Sequence, residues 1–170
     1  MTIKWIGAIL ILAGCGGVGF SMAANHRKTE KELTLMQSSL DYMQCELQYR
    51  LTPLPDLCRQ TAAHSTGNIR RLFILLAQEL EDQISPDVKC CMNSAITKTK
   101  DISDQTATVA ANLGRTLGRF DLDGQLLGLE NARQECRLAL GKLSNNREQR
   151  LRSYQTLGLC AGAALAILFL

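Results

Sequence analysis

Two stretches without a single charged residue, one near each end of the chain, limit what this sequence can fold into. Trp5 to Ala24 (WIGAILILAGCGGVGFSMAA) runs for 20 residues. As an α-helix that is roughly 30 Å, the depth of a bilayer's hydrocarbon core. Tyr154 to Leu170 (YQTLGLCAGAALAILFL) runs for 17 residues, and from Leu157 onward it is wholly apolar or small. That length is at the lower bound for a span. A buried terminal helix is the soluble reading of the second stretch, but a helix that is apolar all round has little protein to hide in at a chain end. The overall hydrophobic content of 46% is ordinary for a globular protein, so placement carries the argument. The expected organisation is an N-terminal transmembrane anchor over residues 1–25, a soluble domain over 26–153 and a C-terminal transmembrane helix over 154–170.

The first stretch has a competing reading. Leu12-Ala13-Gly14-Cys15 has the form of a lipobox, with Lys4 as a thin basic start, so a lipid-anchored extracytoplasmic protein acylated at Cys15 is the alternative. Against it, apolar character continues past Cys15 through Val18, Phe20 and Met22 to Arg27 and Lys28. A cleaved signal gives way to polar sequence sooner. Charge favours the uncleaved anchor. Arg27, Lys28 and Lys31 flank one stretch and Arg147, Arg150 and Arg152 the other, which places residues 25–153 on the cytoplasmic side. With a net charge of only +3 and acidic residues interleaved, these bases fit lipid headgroups better than nucleic acid.

No chemistry of catalysis or metal binding is legible. Seven cysteines include no C-x-x-C pair, and Cys90-Cys91 diverge on a helix, which makes joint ligation awkward. His26 and His64 lie far from any ligand spacing. The cysteines read as small core residues. No nucleophile, base and orienting group form a constellation, so the expectation is a non-enzyme with no cofactor and no small-molecule substrate.

Between the two stretches the pattern is helical throughout, without alternating β-branched runs. Thr29-x-x-Glu32 has the form of a capping box, opening a helix with an apolar seam at Leu33, Met36, Leu40, Met43 and Leu47. Thr52-Pro53 reads as the N-cap and first residue of the next helix, with Pro55 in its tolerant first turn. Residues 65–68 form a loop before a helix carrying Ile69, Leu72, Phe73, Leu76 and Leu80. Ser85-Pro86 repeats the cap-and-proline signal ahead of Val88, Met92 and Ile96. Another helix is expected from Ser103 to about Leu117, stopped by Gly118. Asp121 then caps a final helix with a seam at Leu122, Leu126, Leu129, Cys136, Leu140 and Leu143. No proline follows Pro86, so this helix can run unbroken to the chain end, roughly 75 Å. The fold class is all-α: an antiparallel helical bundle between two transmembrane helices.

Glu46-x-x-Tyr49-x-x-Thr52-Pro53-Leu54 and Leu113-Gly114-Arg115-Thr116-Leu117-Gly118-x-x-Asp121-x-x-x-Gln125 resemble the stage III sporulation protein AB family, as does the order of anchor, helical domain and apolar tail. The resemblance spans essentially the whole chain. It implies a soluble domain similar to the cytoplasmic helical domains of type II secretion and type IV pilus platform proteins. It also implies a place in the channel complex between mother cell and forespore, with a secretion-type ATPase and other channel subunits as partners. Arg50-Leu51 stands where a glycine-containing turn is common in the family, Pro55 adds rigidity, and Cys15 is not a family requirement.

Each matching residue also has a plain reading. Capping accounts for Thr52 and Pro53, helix punctuation for Gly118 and Asp121, and close packing for Gly114. A partner surface is expected around Tyr49, Arg50, Thr52 and Leu54, or around Arg119, Asp121 and Gln125, because turns on a rigid scaffold present side chains to partners. In the membrane, Ala13, Gly17 and Ser21 form a small-residue stripe, and Gly158, Gly162 and Ala166 another, through which the two anchors can pack.

Overall fold

The computed structural model describes the backbone of residues 2–82, 87–118 and 121–169, with side chains over 25–82, 87–118 and 121–145. The described residues form six helices and no strand: α1 Thr2–Arg50, α2 Leu54–Ala63, α3 Gly67–Glu81, α4 Val88–Lys98, α5 Asp104–Leu113 and α6 Leu122–Phe169. Two long helices, α1 and α6, pack along each other, and the four short ones build the rest of the bundle beside them. Arg133 of α6 meets Asp41 and Gln44 of α1, while Leu143 lies with Asn25 and Thr29, so the long pair is antiparallel.

The α1 seam is the core's spine. Leu33, Met36, Leu40 and Met43 are fully buried and Leu47 nearly so. Ile69, Leu72, Phe73 and Leu76 of α3 and Leu129, Ala132 and Cys136 of α6 complete the same cluster. Each large side chain so buried contributes about 1.5–3 kcal/mol. At the start of the α6 seam, Leu122 instead stands at the surface.

Several helix ends differ from the sequence expectation. Thr29 caps nothing, because α1 arrives from upstream and the first-turn amides already have carbonyl partners; its Oγ1 donates to the Asn25 carbonyl at 3.1 Å. The α2 N-cap is Pro53, not Thr52: its ψ of 143° is extended, so the helix starts at Leu54 and Pro55 falls among first-turn positions that have no intrahelical acceptor. Asp87 caps α4, accepting from the Lys89 amide, while the Ser85-Pro86 signal lies outside the described residues. The helix expected from Ser103 begins at Asp104 with Ser103 as its cap, but it stops at Leu113 rather than Leu117. A turn follows in which the Thr116 and Leu117 amides both donate to the Leu113 carbonyl, and Gly118 sits at φ +72°. Asp121 caps α6, its Oδ1 accepting from the Gly124 amide at 3.1 Å.

Glu32, read from sequence as half of a capping box, has a different task. Its carboxylate is buried, accepting from Asn68 Nδ2 at 2.7 Å and from the Ser103 amide at 2.8 Å. Asn68 Nδ2 also donates to the Asp101 carbonyl at 3.0 Å. One α1 carboxylate thus ties the start of α3 to the loop entering α5.

Among the described residues, no helix is long and apolar enough to cross a membrane. The stretches on which the two anchors are expected lie outside the residues whose side chains are described. So do the stripes of Ala13, Gly17 and Ser21 and of Gly158, Gly162 and Ala166.

Candidate partner-docking surface

The turns that the sequence singles out meet at one end of the bundle. Leu47 is the last buried residue of α1; beyond it Tyr49 is 77% exposed, Arg50 is exposed, and Leu51 is 66% exposed. Leu51 holds φ at +50°, a left-handed conformation that costs a non-glycine residue about 1–2 kcal/mol. Thr52 and Leu54 are half-buried. On the other side, Leu113 and Leu117 are buried, and Gly118 faces Leu54 so closely that a Cβ on it would lie 3.5 Å from Leu54 Cδ2 and 2.7 Å from Val88 Cγ2. The structure therefore brings Leu54 and Gly118 together. Tyr49 and Arg50 remain at the surface, Asp121 is exposed and occupied in capping, and Gln125 is half-buried with its backbone N–H donating to the Asp121 carbonyl. Arg119 lies outside the described residues.

The Leu-Gly-Arg-Thr-Leu-Gly run has a packing explanation. A Cβ on Gly114 would come within 2.6 Å of Met92 Cβ, so its absence lets the end of α5 touch α4. Gly128 does the same for α6, where a Cβ would lie 2.4 Å from Thr116 Oγ1. Thr116 spends its hydroxyl on the Leu113 carbonyl.

Polar contacts back this end without covering it. Tyr42 OH donates to Gln60 Oε1 at 3.3 Å, and its ring lies 4.4 Å from that of His64. Burial, and then the Glu46 carboxylate, push the Tyr42 phenol above its ordinary pKa. Glu46 Oε1 lies 3.6 Å from Arg50, while its Oε2 is buried without a hydrogen bond. Arg133 locks α6 to α1, pairing with Asp41 at 2.5 Å and donating to Gln44 at 2.8 Å and Glu130 at 2.6 Å. Sequence reasoning missed this cluster, since its members lie far apart along the chain. It also missed that Leu127 and Leu138, 62% and 60% exposed, share the outward face of α6.

The thiols offer little reactivity. Burial pushes Cys58 and Cys136 up to about 12 and raises Cys91, leaving only Cys45 and Cys90 exposed among the described cysteines. Among the described residues no three His, Cys, Asp or Glu side chains gather as a metal site. What the surface offers is contact: an aromatic ring, a guanidinium and a strained leucine projecting from a rigid bundle.

Comparisons place the chain. The model of the stage III sporulation protein AB family matches residues 4–170. A solved structure of a stage III sporulation protein AB superposes with a TM-score of 0.63 at 18% identity, covering 72% of this chain and 98% of that one, a likeness of fold. No curated protein matches.

Proposed function

Because this chain belongs to the stage III sporulation protein AB family, we propose that it is a non-enzymatic membrane platform in the channel complex between mother cell and forespore. In this reading it sits in the mother-cell membrane with its helical domain in the cytoplasm, and holds a secretion-type ATPase and other channel subunits. The observation that carries the reading is the antiparallel α1–α6 pair. It sends both uncharged ends of the chain out of the bundle on one side, while the Tyr49–Leu54 and Gly118–Gln125 turns share the other. A platform needs that polarity: an anchor at one end and a contact surface at the other.

The test joins topology to docking. In intact cells an impermeant thiol reagent should miss Cys45 and Cys90, and should label both after lysis. Labelling before lysis, or a diacylated Cys15 at a new N-terminus, would replace the platform with the lipid-anchored extracytoplasmic protein. For docking, Tyr49→Ala, Arg50→Glu and Arg119→Glu should each reduce ATPase recruitment to membranes carrying the full chain, with the melting temperature unchanged. Normal recruitment by all three removes these turns as the docking surface.

A further inference from the structure

A cavity of about 550 Å³ lies at the end of the bundle opposite the two turns, where α1 and α6 continue toward the chain's uncharged ends. His26 and Lys28 of α1 line one side, Asp101 and Asp104 another, and Ile102 and Leu143 supply apolar wall. Among the described residues, none of these four polar side chains takes part in an ion pair or side-chain hydrogen bond; Asp101 and Asp104 are engaged only through their carbonyls. Opposite charges that share a cavity without closing on each other leave room between them.

The acidic wall is fixed. Asp101 holds φ at +63°, its carbonyl is tied to Asn68, and two residues on, the Ser103 amide is tied to buried Glu32. Asp101 therefore stands on a loop pinned from beneath, and Asp104 on the first turn of the helix that loop leads into.

We propose that this cavity binds a phosphodiester bearing a primary ammonium group, the chemistry of a phosphoethanolamine headgroup. Asp101 and Asp104 take the ammonium, Lys28 the phosphate, and Ile102 and Leu143 the adjoining glycerol carbons. Phosphate alone would meet two carboxylates, and a bare cation would meet Lys28, so a group of both signs matches the wall. A trimethylammonium has no N–H to donate to a carboxylate. Asn25 directly follows the uncharged stretch that ends at Ala24, so a lipid as the source rests on the membrane placement proposed above, whereas a soluble phosphoethanolamine does not.

The experiment offers the full chain, in detergent micelles, equal amounts of phosphatidylethanolamine, phosphatidylcholine and phosphatidylglycerol, and reads retained lipid by native mass spectrometry. Wild type should retain the ethanolamine lipid about tenfold over the other two, the ratio expected from roughly one well-made charged hydrogen bond. Asp101→Asn with Asp104→Asn should erase that preference and spare phosphatidylglycerol; asparagine tolerates the left-handed backbone, so the fold is kept. Equal retention of the three lipids by wild type, or unchanged selectivity in a double variant with normal melting, overturns the proposal. Glycerophosphoethanolamine and vesicle flotation separate the sources. A chain that floats with vesicles but shows no selectivity sinks the cavity proposal alone. A chain that does not float, yet binds glycerophosphoethanolamine through the two aspartates, keeps the cavity and sinks the membrane placement.

Discussion

The two ends of the bundle are held by different physics. At the cavity end a single buried carboxylate, Glu32, fastens α1 to α3 and to the loop entering α5 through directional hydrogen bonds. At the turn end the fastening is by shape: Gly114 against Met92, Gly118 against Val88 and Gly128 against Thr116. Hydrogen bonds fix backbone direction but consume the polar groups that make them. Glycine contacts bring helices together and leave neighbouring side chains uncommitted. The end held by shape presents Tyr49, Arg50 and Leu51 to the surroundings, and the hydrogen-bonded end presents the charged side chains around its cavity.

The largest effect should come from the hydrogen-bonded end. Glu32→Ala leaves one N–H of the Asn68 amide and the Ser103 N–H without an acceptor, at about 3 kcal/mol of stability by urea unfolding. A loss below about 1 kcal/mol would show that the carboxylate is not what holds that end. Next comes the glycine seam: Gly114→Ala drives a Cβ into Met92 and should destabilise by about 2 kcal/mol. Unaltered stability there would mean that α4 yields freely, and the contrast between the ends would weaken.

Part of this contrast was legible in the sequence. The α1 seam could be read residue by residue, because a 3–4 repeat of apolar side chains leaves one buried face whatever lies opposite. Ser103, Asp121 and Gly118 were also readable, since caps and left-handed turns are local. Glu32 was misread for the converse reason. Its capping-box spacing is local, but its real partners are 36 and 71 residues away. The α5 boundary falls at Gly114 rather than near Gly118: both glycines are local stop signals, and the sequence alone does not rank them. Of the expected docking residues, the exposure of Tyr49 follows from its place past the seam. The strain at Leu51 had one trace in the sequence, Arg50-Leu51 standing where the family commonly has a glycine-containing turn.

Two smaller effects sharpen the comparison. Glu79 is a buried carboxylate held by a charge: Lys98, and then the Ser94 hydroxyl, keep its pKa below the ordinary 4.5. Its contribution is therefore full above that value and is lost as pH falls through the ordinary range and on through the lowered one. Glu79→Gln should flatten the acid limb of a stability–pH profile; an unchanged limb would place the acid sensitivity elsewhere. Smallest is Leu51→Gly, which relieves the left-handed strain against a more flexible unfolded chain and should gain about 0.5 kcal/mol. If ATPase recruitment falls while stability rises, the leucine is kept for contact. If recruitment holds, the strain is incidental.

The unbroken run of α6, 48 residues from Leu122 to Phe169, has a mechanical consequence. A rod of that length measures roughly 72 Å, and a tilt of about 10° moves its far end by roughly 12 Å relative to its Leu122 end. The core grips α6 from Leu126 to Leu143, with Arg133 clamping it to α1 between them, so the bundle and the rod turn as one body. A rotation of the bundle at its turn end is therefore carried along the backbone of α6 and reappears as a larger sideways displacement at Phe169.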